Sequence, residues 1–240
     1  GVARYFNGTD WVGPIELNVE HKSLFPGGIG PKTAEMGTLL WYNSDEENLL
    51  FKKILSPLKP YLKSIGFRGD IDINCMVNDE GAWPIEATPR LGYPSTQAQI
   101  ALHKTPWEEF LGAVARGTPC NLDYEEGYSI AVLLAIPPFP FCTTPCCCSM
   151  KPNNTKIHFW NEPTKEDWKH IHFEGVRAIR GNGKTEYRLI DHTGYAIHVT
   201  GIGSTIQGAR ESTYRRAKSI VIPRMFFRDD IGESFELRDS

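Results

Sequence analysis

"GDIDINCMVNDEGAWPIEATPR", residues 69–90, consists of two alternating runs joined by a turn. In the first, Asp70, Asp72, Asn74 and Met76 alternate with Ile71, Ile73, Cys75 and Val77. In the second, Glu86, Thr88 and Arg90 alternate with Ile85, Ala87 and Pro89. Successive side chains of a strand point to opposite faces, so each run offers one polar and one apolar row. The intervening Asn-Asp-Glu-Gly predicts a hairpin with a three-residue loop, Asp79 to Gly81, in which Gly81 takes the left-handed position. That register sets Asn78 opposite Ala82, Asn74 opposite Glu86, Asp72 opposite Thr88 and Asp70 opposite Arg90. The acids of both strands then share a face, with Asp72 and Glu86 as diagonal neighbours about 7 Å apart at the backbone.

Two carboxylates at that separation repel unless a cation or a proton lies between them. Hard oxygen ligands in small number suit Mg²⁺, which completes its shell with phosphate and water. Arg90, one step along the row, has the planar fork that holds phosphate bidentately. A magnesium–nucleotide site is one reading of the hairpin. A solvated polar sheet face with an Asp70–Arg90 cross-strand pair is the other, and the hairpin alone leaves both open.

The 240 residues suffice for one large or two small domains with a core. A net charge of −3 supplies no basic field for nucleic acid. No apolar run approaches the roughly 18 residues that span a bilayer, and no secretory leader precedes "GVARYFNG". The expectation is a soluble, cytoplasmic protein that takes small-molecule substrates and contacts neither nucleic acid nor membrane. Cys142, Cys146, Cys147 and Cys148 crowd into "FCTTPCCCSM". That spacing does not match the paired ligands of a zinc site, so a loop with reduced thiols is expected.

Outward from the hairpin, "GVARYFNGTDWVGP" reads as two strands around an Asn-Gly turn. Residues 23–38 read as a long Gly/Pro-rich loop. In residues 46–65, Leu49, Leu50, Ile54, Leu58, Leu62 and Ile65 fall at helical spacing, interrupted by Pro57 and Pro60. Residues 95–116 read as helix, with Thr105 as a cap before Pro106. Composition changes near residue 125: "YSIAVLLAI" reads as a fully buried strand, followed by short β-rich pieces and a helix capped by Thr205. "GNGK", residues 181–184, reads as a hairpin turn and not as a phosphate loop. His170, His172 and His198 read as ordinary surface histidines, and the charges of "YRR" and "FFRDD" as a solvated helix face and local ion pairs. The fold class is α+β: residues 1–125 an antiparallel sheet with packed helices, residues 126–240 a smaller β-rich domain.

Three segments, in order, resemble phosphoribosylamine–glycine ligase, an ATP-grasp enzyme family also called glycinamide ribonucleotide synthetase. "EHKSLFPGGIGPKTAEMGTLLWY" resembles that family's Asp-His-Lys segment and its Gly-Pro-Asn-Thr-Gly-Gly-Met-Gly loop. "GFRGDIDINCMVNDEGAWPIEATPRLGYPSTQ" resembles its magnesium hairpin, and "GYAIHVTGIGSTIQGARESTYRRAKSIVIPRMFFRDDIG" its carboxy-terminal domain. The resemblance implies an ATP-grasp carboxy-terminal subdomain followed by the ligase's β-rich domain. It implies amide formation through an acyl phosphate in purine biosynthesis, with ATP and Mg²⁺ (or Mn²⁺) as cofactors and phosphoribosylamine and glycine as substrates. Asp72, Glu86 and Thr88 would hold metal. Arg90, Lys22 and His21 would serve catalysis, and Gly30, Pro31, Thr33, Met36 and Gly37 the nucleotide.

The sequence also departs from the family pattern. Thr88 stands for an asparagine, Tyr93 and Ser95 for two acids, and Lys32 and Glu35 add charge to the loop. A ligase with another amine or carboxylate substrate, or a non-catalytic binding module, are the alternatives. The resemblance begins about halfway along the family's length, so an amino-terminal half, in cis or in trans, is expected to complete the nucleotide site.

Overall fold

The computed structural model describes residues 1–140, 154–181 and 183–235. The cysteine-rich segment lies outside the described residues. Along the chain run β1 (Val2–Asn7), β2 (Trp11–Glu20), β3 (Ser23–Phe25), β4 (Ile29–Lys32), β5 (Gly37–Asn43), α1 (Lys59–Ser64), β6 (Arg68–Asn78) and β7 (Gly81–Thr88). Then come α2 (Ser95–Leu102), α3 (Trp107–Arg116), β8 (Tyr128–Ala135), β9 (Thr155–Phe159), α4 (Lys165–Lys169), β10 (Ile171–Phe173), β11 (Val176–Gly181), β12 (Lys184–Leu189), β13 (Tyr195–Gly203), α5 (Ile206–Ser219) and β14 (Ile220–Val221). An antiparallel sheet runs in the order β10-β13-β8-β5-β2-β1-β6-β7, and a smaller one in the order β11-β12-β9-β14. The expected α+β architecture of antiparallel sheets with packed helices is present. The large sheet draws strands from both sides of residue 125, with β5 pairing directly to β8.

Packing explains the element choice. β8 is central and covered on both faces, so Ile130 through Ile136 are fully buried and the run is continuously apolar. One face of the large sheet places Val2, Phe6, Ile15, Leu17, Ile71 and Ile73 under Phe51, Leu55 and Leu62. The other face carries Tyr5 and Val12 against Phe110 and Val114 of α3. Leu39, Val132, Ile197 and Val199 meet Ala209, Tyr214 and Ala217 of α5, and the same cluster takes in Ile157 and Leu189 of the small sheet. One core therefore joins the two sheets.

Several local expectations change. Residues 23–38 are not a featureless loop: β3 and β4 pair around Pro26–Gly28, where Gly27 and Gly28 have positive φ. Between residues 51 and 64 the backbone passes from a π-helical turn through a 3₁₀ turn at Ser56–Leu58 into α1. The widened turn moves the buried stripe to Phe51, Leu55 and Leu62, leaving Leu49 and Ile65 exposed. Residues 95–116 form two helices, and Thr105 does not cap the second. Its Oγ1 accepts instead from the backbone N–H of Asp123 (2.8 Å). Thr205 caps α5 as expected, accepting from Gly208 N at 3.1 Å. Strands β11 and β12 pair up to Gly181 and Lys184, which makes "GNGK" a hairpin connection.

Polar side chains read as surface groups are buried. Arg216 is buried beside Asp167 (3.1 Å) and donates to the Thr200 carbonyl (3.2 Å). Arg228 is buried with both Asp230 oxygens at 2.6–2.7 Å. His198 is fully buried, and His170 shares the Thr200 hydroxyl with His172. Sequence spacing records strand parity but not the segments later packed against a strand: Arg216 meets Asp167 of α4, Arg228 the Ser23 carbonyl, and His198 the Tyr93 ring.

Two predictions follow from this packing. Phe110→Ala should lower unfolding free energy by about 3–5 kcal/mol, read by urea denaturation, while Ile100→Ala on the exposed side of α2 should stay within about 0.5 kcal/mol of wild type. Burial pushes His21 and His103 from the ordinary 6.5 down to about 4. The unfolded chain then takes up protons below pH 6.5 that the fold refuses until about pH 4. That stability is full above pH 6.5 and is lost as pH falls toward 4. His103→Gln should shallow the dependence of the urea midpoint between pH 6.5 and 4; an unchanged slope would refute the assignment.

Candidate functional site

The hairpin of β6 and β7 pairs Asn74 with Glu86 and Asp72 with Thr88, as the sequence predicts, but by another route. The turn holds two residues, with Asn78 opposite Gly81 and the Asn78 Oδ1 accepting from the N–H groups of Glu80 and Gly81. The register then shifts between Asn74 and Cys75: Cys75 faces Pro84, and Ile85 is the extra residue. A proline, which cannot donate to the ladder, belongs at such a bulge on an edge strand. The shorter turn and the bulge cancel, so the acids arrive in the expected register. The Asp70–Arg90 pair does not form. β7 ends at Thr88, and Arg90 Nη1 donates to the neighbouring Leu91 carbonyl (2.8 Å).

Asp72, Asn74, Glu86, Thr88 and Arg90 line one wall of a cleft of about 260 Å³. Glu20, Lys22, Thr33, Glu35 and Tyr93 complete it. Because β6 lies between β1 and the edge strand β7, Asp72 is buried while Glu86 stays exposed. Asp72 Oδ2 accepts from Asn18 Nδ2 (3.2 Å), and its Oδ1 has no hydrogen-bond partner among the described residues. Burial raises the Asp72 carboxyl above its ordinary range. Asn74 donates to Glu20 Oε2 (3.0 Å), and its own Oδ1 is likewise buried and unpartnered. Lys22 Nζ lies 3.0 Å from Glu20 and 3.8 Å from Glu86. Burial works against the charge of Lys22, but its bond to Glu20, reinforced by Glu35 and Glu86, holds it above the usual lysine value. Glu35 is buried, accepts from the Thr38 hydroxyl, and is raised well above the usual range by burial and by Glu20.

Beneath the cleft the polar row continues inward. Glu16 and Asp70 are buried under α2, where Gln99 donates to Glu16 and accepts from the Tyr5 hydroxyl (3.1 Å). Burial, then the proximity of Asp70 and Asp72, pushes Glu16 well up; burial and Asp72 push Asp70 to about 7.

The cleft thus collects Asp72, Glu86, Thr88, Arg90, Lys22 and Thr33. It does not collect the other expected residues. His21 is turned inward: its Nδ1–H donates to the Val19 carbonyl (3.2 Å), and its Nε2 accepts from Gly232 N (3.4 Å). Met36 is fully buried with Leu24, Leu133 and Phe139. Gly37 sits where a Cβ would meet the Ala131 carbonyl at 2.6 Å, a close pairing of β5 with β8. Gly30 and Pro31 are exposed on β4. Glu20, Glu35 and Asn74 went unassigned in the sequence; the alternation Glu16, Asn18, Glu20 was the signal for the first.

Among the described residues no three carboxylate, imidazole or thiolate groups converge on a metal-binding point. Asp72 and Glu86 supply two carboxylates, and the unpaired oxygens of Asp72 and Asn74 are hard donors lacking a proton source. Such a partial, all-oxygen set fits Mg²⁺ sharing its shell with phosphate and not a cation held by protein alone.

No protein-family model matches the chain. It is similar to the phosphoribosylamine–glycine ligase of Corynebacterium ammoniagenes, with 26% identity across 93% of this chain and 50% of that protein. The ligase of Mycobacterium leprae matches at 26% identity, across 92% of this chain and 50% of that protein. In fold, the crystal structure of phosphoribosylamine–glycine ligase from Thermotoga maritima superposes with a TM-score of 0.71 at 23% identity, covering 96% of this chain and 55% of that one. The chain spans about half the length of the curated relatives it matches. Its curated homologues are phosphoribosylamine–glycine ligases, and it corresponds to about half of one.

Proposed function

We propose that the chain is the carboxy-terminal half of a cytoplasmic ATP-dependent carbon–nitrogen ligase that forms an amide through an acyl phosphate, with phosphoribosylamine and glycine as its substrates. The observation that carries the reading is the cleft shared by Asp72 and Asn74, each with a buried oxygen that no described residue pairs, and by Glu86, Lys22 and Arg90. An amino-terminal half, in cis or in trans, completes the nucleotide site. An apolar cavity of about 710 Å³, lined by Leu17, Val19, Trp41, Leu50 and Val77, shares Glu20, Lys22 and Asn74 with the cleft and receives the nucleotide base.

Each residue has a stated task. Asp72 and Glu86, with Thr88 and Asn74, hold Mg²⁺ (Mn²⁺ can replace it), and when bound the ion neutralises phosphate charge. Lys22, kept protonated by Glu20, contacts the transferred phosphoryl group. Arg90 spends one donor on Leu91 and directs the rest of its fork to phosphate or acyl-phosphate oxygens. Burial and the nearby Glu20 raise the Glu35 carboxyl, which lessens its repulsion of that phosphate. The chemistry is charge stabilisation and positioning; no covalent nucleophile is required.

The test has two readouts. Mn²⁺ titrated with ATP into the full-length gene product and followed by electron paramagnetic resonance should bind, and Asp72→Asn or Glu86→Gln should weaken that binding at least about tenfold, near the value of one charge-assisted contact. In the full-length gene product, Glu86→Gln should lower Mg·ATP-dependent ADP release by about 100-fold or more, with an unchanged melting temperature. Near-normal turnover in that variant would sink the proposal.

A further inference from the structure

The small sheet turns one face to the core and leaves the other open. Ile157, Leu189 and Ile220 lie in the core shared with α5, so their neighbours along each strand point outward. The register sets Arg177 of β11 opposite Arg188 of β12, and Arg188 opposite Lys156 of β9. These cations therefore sit side by side across adjacent strands, about 4.8 Å apart at the backbone. Glu186 and Lys184 continue the same side of β12. Glu186 is paired with Lys156 (2.8 Å) and with Arg188. No described residue forms an ion pair with Arg177 or Lys184.

Like charges directly opposite one another on neighbouring strands are destabilising. Charge on an edge strand guards against strand addition, and β11 is an edge strand. That guard does not account for Arg188 and Lys156, whose strands have a neighbour on each side. The net charge of −3 belongs to the whole chain and averages over this local positive field.

An aromatic ring completes the open face. Phe159 pairs with Ile220 at the end of β9, and the Trp160 N–H continues that ladder by donating to the Ser219 carbonyl (2.9 Å). Strand parity thus runs one residue further and puts Trp160 on the side of Lys156 and His158. Phe159 packs against Trp168 and Tyr187, whereas the Trp160 side chain is 75% exposed.

We infer that this face binds single-stranded nucleic acid, with Arg177, Arg188, Lys156 and Lys184 contacting phosphates and the Trp160 indole stacking on a base. A polyanion relieves the repulsion along the cationic row, and an unpaired base covers the exposed indole. A single strand offers both, since a duplex keeps its base faces stacked inside. The face shares no residue with the cleft, so the inference stands independently of the ligase reading.

The experiment measures fluorescence anisotropy of a labelled oligouridine of about 12 nucleotides, titrated with the full-length gene product at several salt concentrations. Wild type should bind at low salt with a Kd of about 1–100 µM, and the logarithm of its affinity should fall with the logarithm of salt at a slope of about −2 to −3. Arg177→Ala should weaken binding and make that slope shallower by about 0.7, one phosphate contact. Trp160→Ala should weaken binding about tenfold with the slope unchanged, the mark of lost stacking, and Trp160→Phe should recover most of the loss. Both side chains are exposed, so melting temperatures should match wild type. No binding by wild type, release of the oligomer by saturating Mg·ATP, poly-glutamate competing as well as unlabelled oligouridine, or unchanged affinity in Trp160→Ala would each overturn the inference. The second of these would place the oligomer in the cleft, and the third would make the face a site for an acidic polypeptide.

Discussion

The placement of β6 between β1 and the edge strand β7 governs the rest of the site. A carboxylate on a central strand loses its water; one on an edge strand keeps it. Asp72 is therefore buried with one oxygen unpaired, while Glu86, two residues diagonally across, remains exposed. Burying a carboxylate without a partner is expensive unless a proton or a cation compensates. The neighbouring side chains are arranged around that cost: Asn18 donates to Asp72, Asn74 to Glu20, and Lys22 spans Glu20 and Glu86.

The same strand order extends the polar row under α2. Glu16 and Asp70 meet there with Gln99 and Tyr5. Their raised carboxyl pKa values mean this layer carries less charge near neutrality than its composition suggests. Above that layer, Glu86, Lys22 and Arg90 line the open part of the cleft.

The core that joins the sheets also has a functional consequence. Strand β8 pairs with both β5 and β13, so β13 is carried to the flank of the cleft, where the His198 ring meets Tyr93 edge-on. A site built on strands locked into one sheet is positioned more tightly than one carried by loops. The buried ion pairs Arg216–Asp167 and Arg228–Asp230 pin the covering segments in the same way. Removing one partner would leave a charge stranded without water.

Strand parity, turn chemistry and helix capping were legible in the sequence because they depend on neighbours within a few residues. The alternation in 69–90 brought Asp72, Glu86 and Thr88 to one wall even though the turn length was misjudged, since a two-residue turn and a bulge at Ile85 restore the parity. Thr205 was readable as a cap for the same reason. Burial was decided elsewhere. Whether His21 faces the cleft or Gly232 and whether Arg228 is solvated depend on segments distant in the chain. Desolvation and hydrogen bonding across such distances arise only when the sheet closes, so tertiary structure alone chose which of the polar residues became a site.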